Sequence, residues 1–98
     1  MKFSFHPEAE EEFNAAIQYY EEREVGLGYD FAVEVYGAIK RSVSFPKTWP
    51  IIEIDIRRSL VKRFPFGVLY SEGHQEIYIV AVMNLHRDPE YWMHRKEL

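Results

Sequence analysis

The side chains able to do chemistry fall in two places. RRSLVKRFPFGVLY, residues 57–70, gathers Arg57, Arg58, Lys62 and Arg63 with no acid among them. Nearer the end, LHRDPEYWMHRKEL carries His86, Arg87 and Tyr91 just after an apolar run. A local group of cations can bind an anion or an acidic partner even on an acidic protein. Histidine titrates near neutrality and can give or take a proton, and loops at strand ends often carry function. Each feature also has a plain structural reading. Lys and Arg guard strand edges against aggregation, Arg87 can pair with Asp88 or Glu90, and Trp92 can anchor the tail. Tyr91 suits either anchoring or stacking on a base. His86 and His94 lack the i, i+4 spacing of a helical zinc pair, and there is no cysteine, so neither a metal site nor a cofactor is expected. Glycine-rich phosphate loops and serine-nucleophile motifs are missing.

The frame that must position these groups is small. Ninety-eight residues predict one domain, 1–98, around a single core. The chain is 47% hydrophobic and 16% aromatic, enough apolar material to fold without staples. Its net charge of −4 argues against nonspecific coating of nucleic acid, whose affinity is mostly phosphate neutralisation. Absence of cysteine suits a reducing cytoplasm. MKFSFHPEAEEEF has no apolar signal region, and IYIVAVM (77–83) is too short to span a bilayer. A cytoplasmic protein without a membrane partner is expected.

KFSF (2–5) alternates and predicts a short first strand. HPEAEEEF opens a helix, with Pro7 at its first position and glutamates favoured by its positive end. Ala9, Phe13, Ile17 and Tyr20 carry its apolar stripe from about residue 7 to Val25. The acidic run EAEEE reads most simply as solvated, and His6 as a helix-entry residue. GLG (26–28) breaks the helix. A second helix, roughly Tyr29 to Phe45, buries Phe31, Ala32, Val35, Ala38, Ile39 and Val43, and Pro46 and Pro50 stop it. The period then changes. Residues 51–64 alternate, 66–71 form another extended run, EGHQ (72–75) turns on Gly73, and EIYIVAVMN (76–84) is apolar on both faces. Alternation over 51–64 sends Arg58 and Lys62 to one face, and Arg57 and Arg63 to the other. Residues 85–98 read as a loop and a short helical or irregular tail. The expected class is α+β: an N-terminal strand and a two-helix hairpin on an antiparallel sheet of about four strands.

This order, with HPEAEEEF, RFPFGVLY and HRDPEYW, resembles the RelE/ParE toxin superfamily of type II toxin–antitoxin modules over nearly the whole chain. It is most similar to the ParE-like or plasmid-stabilisation branch. The resemblance implies a cytoplasmic toxin neutralised by a cognate antitoxin protein. Its target is DNA gyrase if ParE-like, bound without RNA cleavage. A RelE-like member would be a ribosome-dependent mRNA endoribonuclease. Metal-free RNA cleavage needs a base, cations for the phosphate and an acid for the leaving oxygen. By resemblance, Lys62, Arg87 and Tyr91 fall near the nuclease residues, with His86 as an acid–base candidate beside them. Arg57, Arg58, Lys62 and Arg63 would form the binding patch. The pattern departs from RelE at Gly67, where an arginine is expected, which favours the binder. A third possibility is a decayed toxin that only binds antitoxin. Antitoxin identity, binding mode and oligomeric state are left open.

Overall fold

The computed structural model describes residues 2–96. In chain order it contains β1 (Lys2–Phe5), α1 (Pro7–Arg23), α2 (Leu27–Ser44), β2 (Ile51–Glu53), β3 (Ile56–Leu60), β4 (Phe66–Gly73), β5 (Glu76–Asn84) and a 3-10 turn (Met93–Arg95). The expected α+β class is present, with five strands instead of about four. The sheet order is β1-β5-β4-β3-β2. It is mixed, because β1 runs parallel to β5 while the other pairs are antiparallel. The helical hairpin between β1 and the rest of the chain supplies the crossover a parallel pair requires.

His6 caps α1, its Nδ1 accepting the Glu8 N–H at 3.1 Å. Gly26, with φ 90, turns the chain into α2. Gly28 lies inside α2 and does not end α1. A Cβ there would sit 2.5 Å from the Ile17 carbonyl oxygen, so only glycine permits this approach of the two helices. Glu21 ties the same corner, accepting the N–H groups of Gly26 and Gly28 at 2.9 and 3.0 Å. It thereby satisfies two donors that the start of a helix leaves unpaired. Gly37 is different. In mid-helix it costs about 1 kcal/mol against alanine, yet a Cβ there would meet only the Arg41 guanidinium, at 3.4 Å.

The helices cover one sheet face. Phe13, Phe31, Val35 and Ile39 pack there on Val68, Tyr70, Ile77, Ile79 and Val82. Phe31 meets Phe64 and Phe66 edge-on, at centroid distances of 5.1 and 4.8 Å. The FPF segment is thus core-building. Across the sheet, Trp92 from the C-terminal segment closes a second cluster with Ile56, Leu69, Val80, Ala81 and Met83. β5 is apolar on both faces because both are covered, Ile77, Ile79 and Val82 by the helices and Val80, Ala81 and Met83 by the Trp92 cluster. A β-bulge interrupts its pairing with β4. Leu69 pairs with Ala81 and Tyr70 with Ile79, leaving Val80 as an extra residue.

Two turns depart from expectation. The run 51–64 is not one strand, because the chain reverses at Ile54–Asp55 between β2 and β3. Ile54 takes φ 52, an uncommon value for a β-branched residue. In the β4–β5 hairpin the positive φ belongs to Gln75, at 58°, not to Gly73.

Candidate functional site

The basic run does not form one strand patch. β3 ends at Leu60, so Lys62 and Arg63 lie in the loop before β4 and alternation does not govern them. Arg57 donates to the carbonyls of Lys47 and Trp49 and pairs with Glu72 at 3.4 Å. Arg63, with φ 71, reaches Asp30 and Glu34 on α2 at 3.7 and 3.8 Å. The stem of Arg58 lies over Gly67, whose missing Cβ leaves it room: Arg58 Cγ is 3.0 Å from that position. Lys62 is exposed. The four cations thus split among a turn clamp, a helix contact, a packed stem and an exposed amine.

Of the four nuclease candidates, the fold joins two. Arg87 stacks on the Tyr91 ring, its guanidinium carbon 3.9 Å from the centroid. Both line an open depression of about 500 Å³ with Glu8, Glu11, Glu12, Ala15, His94 and Arg95. Lys62 and His86 do not line it, and His86 is exposed in the turn after β5.

Glu12 is the centre of this site, and no sequence pattern singled it out. β1 covers β5 only from Glu76 to Ile79. Beyond that point the bulge turns the Val80 carbonyl and the Val82 N–H toward an edge without a strand. Glu12 accepts the Val82 N–H at 3.2 Å, and Arg95 Nη1 donates to the Val80 carbonyl at 3.0 Å. Arg95 also donates to Glu12 Oε1 at 2.8 Å and Oε2 at 3.1 Å. A buried ion pair therefore caps the edge in place of a partner strand. Tyr91 donates its hydroxyl to Glu12 Oε2, and Arg87 pairs with the same oxygen at 3.6 Å. Glu8 completes the cluster, accepting from Arg95 Nε at 2.8 Å and lying 2.9 Å from His94 Nε2.

The electrostatics follow from these partners. Burial raises the Tyr91 pKa, and its hydrogen bond to Glu12 raises it further. The phenol stays protonated and already donates to a carboxylate. Burial alone would lower the Arg95 pKa, but its bonds to Glu12 and Glu8 outweigh this and raise it. The His94 contact, with help from Arg95, holds Glu8 below its ordinary value against a smaller opposing effect of burial. Three carboxylates and two guanidinium groups line the depression, so its net potential does not attract a polyanion.

Sequence reasoning missed Glu12 and Arg95 and read the EAEEE run as solvated. Glu8 and Glu12 are one turn apart, and each immediately precedes a buried stripe residue, Ala9 or Phe13. That spacing was the only available signal. Arg87 pairs with Glu12 instead of Asp88 or Glu90. Trp92 is the tail anchor, 1% exposed. Among the described residues no group of His, Asp and Glu could hold a metal ion, and no helix is long and apolar enough to cross a membrane.

No family model matches the chain, and no curated protein matches it. Among solved structures, a chain of the chromosomal ParDE TA system from P. aeruginosa is similar. Identity is 18% over 88% of this chain and 97% of that chain, with a TM-score of 0.59. At that identity the likeness is one of fold alone, two helices packed on one face of a sheet.

Proposed function

We propose that this chain is the toxin component of a type II toxin–antitoxin module and acts by binding a target, without cutting RNA. The fold it shares with a ParDE chain supports the module. The binding mode rests on one observation: Glu12 engages both Tyr91 and Arg87. A nuclease would need Tyr91 as a mobile acid and Arg87 free for a phosphate. Here the phenol is pinned by a carboxylate, the guanidinium is shared with it, and the carboxylates of the cleft outnumber its guanidinium groups by three to two, a lining without the cationic surplus that RNA binding draws on. Gly67, carrying the Arg58 stem in place of a clamp arginine, agrees. The proposed target is DNA gyrase, with the cognate antitoxin as the partner that restrains the toxin, in the cytoplasm.

Growth after induction of wild type, Lys62→Ala and Arg87→Ala without antitoxin tests the mechanism. A transition-state cation is worth about 3 kcal/mol, or two orders of magnitude in rate, so a nuclease would lose its toxicity. The binder retains growth inhibition in Lys62→Ala and most of it in Arg87→Ala. No inhibition by wild type would instead leave a protein that only binds its antitoxin.

A further inference from the structure

Helix α2 has two apolar faces; the fold uses one in full and, of the other, engages Tyr36, which meets Phe13 edge-on at a centroid distance of 5.3 Å. Phe31, Val35, Ala38 and Ile39 point into the core and are buried. On the opposite side Tyr29, Val33, Tyr36 and Lys40 recur at steps of four, three and four, the spacing of a coiled-coil seam. Tyr29 is 72% exposed, and Val33 and Tyr36 are each 49% exposed. Beside the seam lies Gly37, whose absent side chain the fold itself does not require. At the C-terminal end of the seam is an apolar hollow of about 290 Å³ lined by Phe3, Tyr36, Ile39, Lys40 and Val43.

The charges on α2 indicate what covers this face. Its first half carries Asp30 and Glu34, and its second half carries Lys40 and Arg41. A helix with opposite charges at its two ends is complementary to a copy of itself laid antiparallel. We propose that the outer face of α2 is a homodimer interface, with two copies pairing antiparallel about a two-fold axis near residues 34–35. That register sets Val33 against Tyr36 of the second copy and Tyr29 against Lys40 of the second copy, over the apolar hollow. Asp30 comes within a helical turn of Arg41 of the second copy. Gly37 lets the backbones approach where the seams cross. Among the described residues, the ion pairs of Asp30 and Glu34 are long contacts with Arg63, at 3.7 and 3.8 Å, and these leave room for better partners. Every contact occurs twice, as a closed two-fold interface requires.

The test is sedimentation velocity on the full chain from about 1 μM to about 1 mM, the range in which a weak dimer becomes populated. Wild type is expected to pass from monomer to dimer, and to dimerise less in strong salt, which screens the flanking charges. Val33→Glu adds two charges to the seam and weakens dimerisation by at least about tenfold, a hot-spot loss. Its helical circular dichroism stays unchanged, because Val33 is already half exposed. Asp30→Lys weakens the dimer through repulsion by Arg41, and adding Arg41→Asp restores it. Leu60→Glu, on the exposed sheet surface, has no effect. A wild-type monomer throughout the range overturns the inference. So does a dimer that survives Val33→Glu, or an Asp30→Lys defect that Arg41→Asp does not repair.

Discussion

Replacing Glu12 by alanine tests the reading of the ion pair as a cap on the open edge of β5. The carboxylate is 14% exposed and its main partner Arg95 is 6% exposed at the side chain. Glu12→Ala leaves the Arg95 guanidinium short of its bidentate partner and strands the Val82 N–H and the Tyr91 hydroxyl. Breaking a buried pair from one side costs about 3–5 kcal/mol, and an unsatisfied buried donor costs about 1–3 kcal/mol. Glu8 still holds Arg95 Nε at 2.8 Å, and water can enter from the open depression. The lower end therefore applies, a loss of about 3 kcal/mol. For a domain of this size that lowers Tm by about 12 °C or more. Urea unfolding followed by tryptophan fluorescence reads the change, since Trp92 is buried in the segment the pair retains. Glu12→Ala, Arg95→Ala and the double variant form a cycle whose coupling should exceed about 1.5 kcal/mol. A loss below about 1 kcal/mol with no coupling would make the pair an ordinary screened surface bridge and refute the capping argument.

Alkaline titration should separate the tyrosines. Burial raises the pKa of Tyr91, Tyr20 and Tyr70 above the usual 10.0, so their contribution is complete below pH 10 and is lost as pH rises through the folded values. Tyrosinate absorbance should show these groups ionising above pH 10.0, and Tyr91→Phe should flatten the alkaline limb. At the acid end Glu8, held below 4.5, contributes stability above that pH and loses it as pH falls, so Glu8→Gln should flatten the acid limb of the same curve. Gly28→Ala should lower stability by about 1–3 kcal/mol through overpacking against Ile17, measured in urea. Gly37→Ala, at concentrations where the chain is monomeric, should raise stability by up to about 1 kcal/mol. Ile54→Gly should raise Tm, since it relieves a positive φ that costs a β-branched residue about 1–3 kcal/mol. An unchanged or lower Tm would count against the β2–β3 turn.

Both helices were legible because an apolar stripe at helical period has one physical reading, and Phe13, Phe31, Val35 and Ile39 are indeed buried. The β2–β3 reversal was not, because Ile54 occupies a position where glycine or asparagine would have signalled a turn. Nor was the parallel seat of β1. Four alternating residues state that a strand exists but not which edge is vacant. The site was legible in halves. Arg87 and Tyr91 stand close together in sequence and in space, whereas Glu12 and Arg95 lie 83 residues apart. No local pattern joins them. The bulge at Val80, which creates the need they meet, arises from the register between two strands and has no signature in either one.

The claim that this chain inhibits a target by binding it, with its one nuclease-like cluster locked by Glu12, is most directly tested by timing. DNA and protein synthesis should be pulse-labelled in the same cells within minutes of inducing the chain without antitoxin. The account predicts that DNA synthesis falls first while protein synthesis continues. Protein synthesis falling first, with its loss abolished by Arg87→Ala, would contradict it and return Tyr91 and Arg87 to the role of nuclease residues.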